Sequence, residues 1–509
     1  MGTLQLALSG LSTILPGTFI EVKFAQGQSN GANSIKRVLF VGMKTASGSA
    51  TLDTQVYPVG GEADAITYFG AGSKCHRTMR RFLQACPNAA IYGIAATESA
   101  GVVATDALTP LNAATSAGVI SYTCVGETIT VPVANLQSVL TTVVDLVAAI
   151  NLQTHWPVVA VNTGGLNTSI TINAKLKGTD GNHIRHRVST TATGQTITAG
   201  AGALAAGATD EVYTTVNSSI LADDYDMIVP CVNPTGATNV RLGALANQVI
   251  TQALPASGIR QQVVFGSTVS LNNAVSLSAA TLVTGGPANN PRFVHVHQEN
   301  SEWEPMELAG YVAGVRFNEE FGSIPWANYD GYGIKTGTAL AIPKQYSSAD
   351  YPTRLEQAVL LAGGVTPIAV DTLGRTYITQ MVTCSTDVRV RDVAKVSVPD
   401  AFSDDLAVRY GTSGYTALQD DPADGVQLPP NVATPLRVKN QTIAPLYVRY
   451  AGDGWLDSDK TLAAVTGDIF ACTTGIDPVV NTRINARIPL HVMALCHQFC
   501  ALVTENSAG

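Results

Sequence analysis

Residues 36–43, KRVLFVGM, and residues 66–96, ITYFGAGSKCHRTMRRFLQACPNAAIYGIAA, decide how this chain folds. Val38-Leu39-Phe40-Val41 is a short continuous apolar run, the pattern of a strand buried on both faces. From about Ser73 the apolar period changes, and Cys75, Met79, Phe82, Leu83 and Cys86 fall on one helical face. Pro87-Asn88 ends that helix, because proline has no N–H to continue the ladder, and Ile91 to Ala96 supplies a second strand. Strand, helix and strand at this interval open an α/β domain.

Further along, the alternation resumes with strand Met227-Ile228-Val229, a helix near 238–254, strand Val263-Val264-Phe265, a helix near 272–283 and strand Phe293 to Val296. A helix near 303–317 carries Met306, Ala309, Val312 and Ala313 at helical spacing, and Leu355 to Leu361 (helix) and Arg375 to Val382 (strand) follow. Between the two halves the texture becomes Thr/Val/Gly-rich, with strands at Ile129-Thr130-Val131 and Ser169 to Ile172 around one apolar helix, Val139 to Ile150. At the two ends, Ile20, Val22 and Phe24 alternate with Phe19, Glu21 and Lys23, and Ile488, Leu490, Val492 and Ala494 alternate with Arg487, Pro489, His491 and Met493. Both are strand patterns in need of a partner.

The expected fold class is α/β: a multi-domain chain with a doubly wound, largely parallel sheet core, an inserted β-rich domain, an α+β C-terminal domain and extended N- and C-terminal strand arms. The expected boundaries are 1–34 for the N-terminal arm, 35–104 and 209–395 for the two parts of the core, 105–208 for the insertion, 396–482 for the C-terminal domain and 483–509 for the C-terminal arm.

At 509 residues a substantial core is easily built. Charged residues are only 13% of the chain, against roughly 25% in ordinary domains. Low charge weakens the repulsion that keeps proteins monomeric, so much of the surface is expected to be covered by further copies, with a large Ala/Gly-rich enzyme as the alternative. A net charge of −8 with no basic stripe argues against direct nucleic-acid binding. The cysteines at 75, 86, 124, 231, 384, 472, 496 and 500 form no CxxC pair, so free thiols in a reducing cytoplasm are expected. No Lys or Arg precedes Lys23 and no run approaches about 18 apolar residues, which points to a soluble chain with no membrane insertion.

Several groups invite chemistry. Gly411-Thr412-Ser413-Gly414 echoes a serine-nucleophile turn, but no His stands in a recognisable His-Gly context before it, and a Gly-rich loop is the simpler reading. His491, Cys496, His497 and Cys500 suggest a metal, yet the strand pattern leading into them argues against a preformed site. His183 and His186, beside Arg185 and Arg187, could form an anion site, although a surface strand end fits as well. Glu299, Glu302, Glu304 and Glu307 surround a helix start, where the dipole favours acids, and show no acid/base pairing. No GxxxxGK[ST] is present, and Gly285-Gly286-Pro287 lacks dinucleotide spacing. No catalytic, cofactor-binding or metal residue is assigned, and the chain is not expected to be an enzyme.

Read in order, LPGTFIEV (15–22), KRVLFVG (36–42), the 66–96 segment, GETITVPVANLQSVLTTVVDLVAAINLQTHWPVVAV (126–161), LKGTDGNHIRHR (176–187), DDYDMIVPCVNP (223–234), AVLLAGGVTPIAVDTLGRTYITQMVT (358–383) and VNTRINARIPLHV (480–492) resemble the contractile tail sheath proteins of Mu-like phages, whose core is subtilisin-like. The resemblance covers most of the chain. It implies a structural subunit that polymerises with itself as six-fold rings stacked helically around an inner tail tube protein. Such a sheath meets baseplate and tail terminator proteins, contracts to drive the tube through a cell envelope, and is assembled in the bacterial cytoplasm as part of a virion tail. Ile20, Val22, Phe24, Ile488, Leu490 and Val492 are then expected to pair with neighbouring subunits. The alternatives are another self-assembling shell, such as a capsid or surface layer, or a subtilisin-like serine hydrolase.

Overall fold

A computed structural model of the chain describes residues 37–163, 169–200, 202–220, 223–253, 259–321, 340–345, 350–371, 373–423, 426–452, 455–459, 473–476, 484–488 and 490–492. The expected strand at Ile20, Val22 and Phe24 lies outside them.

The chain opens with β1 (Val38–Met43), β2 (Val56–Val59), α1 (Glu62–Phe69), α2 (Lys74–Ala85) and β3 (Ile91–Ala96). An excursion follows: β4 (Val103–Leu111), β5 (Gly118–Cys124), β6 (Glu127–Val133), α3 (Val139–Leu152), β7 (Val158–Thr163), β8 (Ser169–Lys177), the 3₁₀ turn Thr179–His183, β9 (His186–Thr190) and β10 (Thr196–Ala199). The core resumes with α4 (Thr214–Ser219), β11 (Met227–Pro230), α5 (Val240–Gln252), β12 (Gln262–Ser267), α6 (Leu271–Ala279), β13 (Phe293–His297), α7 (Pro305–Phe321), α8 (Arg354–Ala362), β14 (Thr366–Val370) and β15 (Thr376–Ile378). The C-terminal part holds α9 (Ala394–Thr412), β16 (Ala417–Leu418), β17 (Val432–Ala433), α10 (Pro435–Arg437), a π-helical turn at Val438–Ile443, α11 (Ala444–Gly452), β18 (Thr473–Ile476) and β19 (Ile484–Arg487).

The core sheet runs β15-β14-β13-β12-β11-β1-β3-β2. From β14 to β3 all neighbours are parallel, and an antiparallel strand closes each edge. Successive residues of β1 serve opposite faces. Val38 and Phe40 join the cluster of Ala65, Phe69, Met79, Phe82 and Val312 from α1, α2 and α7. Leu39 and Val41 join Val216, Leu242, Leu245 and Val249 from α4 and α5. Helices therefore cover both faces, which is why the central strands read as unbroken apolar runs. Edge strand β2 escapes periodicity because Pro58 interrupts it, and only an edge tolerates a residue that cannot donate to the ladder. Pro399 hides α9 in the same way.

Helices α2 and α7 pack backbone to backbone. Gly310 and Gly314 lie one turn apart, and a Cβ at either would sit 2.5 Å from the carbonyl oxygen of Thr78 or Phe82. Beside this contact Phe82 meets Phe40 edge-on at 5.3 Å and Phe317 at 5.7 Å.

Residues 103–199 build two antiparallel sheets, β10-β4-β8-β7 and β6-β5-β9, around their own apolar cluster. Val102 and Ala208 pair as a bridge at the neck where the excursion leaves and returns. Ser138 caps α3 by accepting from Thr141 N, and Val143, Leu146 and Ile150 face inward. At the far end of that helix Asn151 reaches edge strand β7. Its amide donates to the Ala160 carbonyl and accepts from Ala160 N–H, both at 2.9 Å, so it stands where another strand would pair.

In the C-terminal part, α9 and α11 enclose Phe402, Tyr447, Tyr450, Trp455 and Leu456. The described part of the alternating terminal stretch folds back here: β19 pairs with β18, Val492 bridges to Leu456, and Ile488, Leu490 and Val492 lie half-buried against the cluster. Their apolar sides find cover within the chain once the helical cluster is in place.

Gly310→Ala forces α2 and α7 apart. Equilibrium urea unfolding is expected to show a loss of about 1–3 kcal/mol, the usual cost of overpacking a tight contact.

Candidate functional site

In doubly wound sheets the ligand crevice lies beyond the carboxyl ends of the strands where the winding reverses. Here that point falls between β1 and β11, because β3 lies on one side of β1 and the strands after the excursion lie on the other. The N-terminal turns of two helices carry cations into the crevice: Lys74 is the first residue of α2, and Arg241 the second of α5. Ser73 and Asn239 cap these helices through their side chains. Two helix dipoles and two side-chain cations make a strongly anion-seeking pocket.

The anion is the chain's own. Asp180, from the turn Thr179–His183 of the excursion, is 1% exposed at this point. Its Oδ1 accepts from Asn233 N (2.9 Å) and Arg241 Nη2 (2.8 Å). Its Oδ2 accepts from Arg241 Nη1 (2.6 Å) and from Lys74 Nζ. Glu211, 2% exposed, takes a second bond from each cation, at 3.0 Å from Lys74 and 2.9 Å from Arg241. Burial opposes ionisation of Asp180, yet Arg241 and Lys74 outweigh it and hold the carboxyl well below the usual carboxylate range. For Lys74 burial likewise works against the charge, and Asp180 and Glu211 raise its pKa over that effect.

Asp180, Asp210 and Glu211 bring carboxylate oxygens within 4.8 Å of one another, a spacing that could hold a metal. Lys74 and Arg241 already pair with all three, and Thr179 N and Oγ1 bind Asp210 at 2.6 and 2.7 Å. The cluster is a closed ionic joint in which a metal would have to displace two buried cations.

The joint continues along α2. Arg77 pairs with Glu304 and Glu307, and Asn233 Nδ2 donates to Glu304 at 2.6 Å. Arg81 pairs with Glu307 at 3.3 Å and with Glu127 of β6 at 3.1 Å, and stacks over Trp303 at 4.1 Å. Glu302 pairs with Arg187, and Arg185 donates to Asn300 at 2.7 Å. The glutamates do surround the α7 start, where Glu307 accepts from Glu304 N, but their partners are arginines on α2 and in the excursion. Sequence reading missed this because the pairs lie about 115 to 227 residues apart. Only the Arg77-x-x-x-Arg81 helical spacing hinted at a cationic stripe.

The segment 183–187 is a seam and not a surface strand end. His183 bonds Thr268 Oγ1 of the core at 3.2 Å, and His186 lies buried 2.8 Å from Asp106. Burial lowers the pKa of His183 to about 4, with Asp180 pulling the other way. Ser413 Oγ donates to the Tyr410 carbonyl at 2.6 Å at the end of α9, which makes it a helix-end residue with no base beside it among its described partners. Of the terminal Cys/His group only His491 is described; Cys496, His497 and Cys500 lie outside. Among the described residues no helix is long and apolar enough to cross a membrane.

No family model and no curated protein matches the chain. Among solved structures it is similar to the sheath tail protein of Desulfitobacterium hafniense, at 10% identity over 94% of this chain and 100% of that one, with a TM-score of 0.44. It is similar also to the helical sheath of the anti-feeding prophage in its contracted state, at 11% identity over 97% and 100% with a TM-score of 0.47. A third is the contracted sheath complex of an extracellular contractile injection system, at 10% identity over 97% and 98% with a TM-score of 0.46.

Asp180→Asn removes the charge that Lys74 and Arg241 share, and chemical denaturation is expected to show a loss of about 3–5 kcal/mol. Because the folded pKa of Asp180 lies below its unfolded value, its contribution is present above about pH 4 and fades as pH falls below that. His183 acts in a different window. Its depressed pKa means that the unfolded chain takes up the proton first, so stability falls as pH drops from about 6.5 to about 4. His183→Gln should flatten that limb in a series of Tm measurements from pH 7 to 4.

Proposed function

We propose that the chain is the structural subunit of a contractile tail sheath, polymerising as stacked six-fold rings around an inner tube and shortening to drive the tube through a cell envelope. The observation that carries this reading is the ordered set of sheath-like segments spread from residue 15 to residue 492. Two features of the fold support it. The crevice in which a doubly wound domain takes a small ligand is filled by the chain's own ion cluster, so the core works as a solid body. β18 and β19 form a sheet of only two strands among the described residues, and so small a sheet gains stability from further strands.

In this reading the stretches around Ile20, Val22, Phe24 and around Ile488, Leu490, Val492 add to sheet edges on neighbouring subunits. Backbone pairing holds without side-chain fit, so a mesh of such strands stays linked while the rigid bodies rotate. In the isolated chain Ile488, Leu490 and Val492 rest on their own C-terminal cluster. Exchanging that seat with a neighbour is domain swapping, which needs no new complementary surface. Contraction is then a rigid-body change between two packings, with the first trapped during assembly on the tube. Tube, baseplate and terminator proteins are the partners this reading requires, and a host cytoplasm is the place of assembly.

Negative-stain electron microscopy of the purified chain tests the proposal. Hollow, helically striated tubes of fixed bore are expected, alone or on addition of the cognate tube protein, and flat lattices or closed shells would overturn it. Deleting residues 1–25 or 485–509 should abolish polymers while circular dichroism still reports a folded monomer; polymers of normal length from either truncation would refute the role of the arms.

A further inference from the structure

The loop 70–72 joins α1 to α2 and forms a pad on which the insertion meets the core beside the ion joint. Gly70 and Gly72 both have φ of +77°, and a Cβ at Gly72 would stand 2.3 Å from the Trp156 carbonyl oxygen. From β8, Lys175 Nζ donates to the Ala71 carbonyl at 3.4 Å and to the Thr154 carbonyl, just past α3, at 2.6 Å. Backbone lies close to backbone here, so a displaced pad displaces the seat of the insertion.

One imidazole holds the pad in place. Gly72 N–H donates to His76 Nδ1 at 3.1 Å. A backbone amide can only donate, so Nδ1 carries no hydrogen and the ring is neutral, with its proton on Nε2. Nε2 lies 3.4 Å from Glu62 Oε1 of α1, an oxygen that Arg80 Nε also approaches at 3.4 Å. His76 is fully buried, whereas the Glu62 side chain is half-exposed. A second proton can enter the ring only at Nδ1, where it points at the Gly72 N–H and turns an attraction into a clash. Burial lowers the pKa of His76 to about 4; Glu62 pulls the other way, and Arg80 and Arg77 add to the lowering. Lys175, on the far side of the pad, has its own pKa lowered by burial to about 8 and stays cationic in acid.

We propose that His76 is a proton-sensitive latch on the seam between insertion and core: by taking up a proton at Nδ1 it releases Gly72 N–H and frees the pad, while the ion joint around Asp180 stays closed. Burial opposes the charge of Asp180, but Arg241 and Lys74 hold its carboxyl well below the usual carboxylate range, so the joint keeps its charges while the latch titrates. The sign follows from the lowered pKa of the folded chain. The contribution of the latch is present above about pH 6.5 and is lost as pH falls towards about 4. The insertion thereby gains freedom to tilt about the joint in mild acid without either body unfolding, since each has its own apolar cluster.

Amide hydrogen exchange of the full-length chain between pH 7 and pH 4.5, read by mass spectrometry and corrected for intrinsic rates, tests the latch. Exchange at 70–72 is expected to rise roughly 10- to 100-fold, because the opened ring regains its ordinary proton affinity. Amides of β1 and β12 should keep their protection. In His76→Asn the side-chain oxygen takes the place of Nδ1 and binds no proton, so the rise should vanish. Exchange of the His76 ring C2 hydrogen follows the titration in the unaltered chain and should show a midpoint well below the ordinary histidine value. Unchanged protection at 70–72 in acid, loss of protection in all segments together, an ordinary midpoint for His76, or the same rise in His76→Asn would each overturn the proposal.

Discussion

One carboxylate organises this molecule. The crevice at the winding reversal of the sheet collects two helix N-termini, Lys74 and Arg241, and a buried collection of positive charge cannot persist without an anion. Many folds of this shape leave the position to a phosphate or carboxylate ligand. Here Asp180 fills it from the inserted region, and Glu211 from the segment that returns to the core. The insertion is therefore part of the core's electrostatic closure, although the two have separate apolar clusters. The division of labour follows: hydrocarbon builds each body, and charge decides how the bodies sit.

That division shapes what the seam can do. Apolar contacts are indifferent to small sliding, whereas paired charges such as Arg77 with Glu304 and Glu307 have one good geometry and a large penalty elsewhere. Buried pairs of this kind add little net stability compared with a hydrocarbon seam of the same volume. Their yield is orientation. The close approach of α2 and α7 over Gly310 and Gly314 serves the same end, because α2 carries Lys74, Arg77 and Arg81 on a helix that cannot roll.

Much of the parallel sheet was legible in the sequence because its strands are buried on both faces: Val38 to Val41, Met227 to Val229 and Val263 to Phe265 have no polar residue to interrupt them, and the helices between them keep a clean period. The edge strand β2 was not, since Pro58 breaks it, nor was α9, which has Pro399 inside it. The ion joint was illegible for another reason. Glu304 and Glu307 read as dipole partners of their own helix because local spacing is visible, whereas their pairing with Arg77 depends on a fold that brings residues 227 apart within reach. His183 and His186 looked like surface residues for the same reason, their cover being Thr268 from the core and Asp106 from across the insertion.

Asn151 has a wider meaning under the proposed assembly, in which many copies of the chain gather. A polymer is a place of extreme local concentration, where any open strand edge is a seed for faults in the lattice. By offering one amide group to both outward backbone atoms of Ala160, α3 occupies the middle of that outermost strand. In such a lattice a single uncharged side chain at the centre of that edge hinders strand addition there.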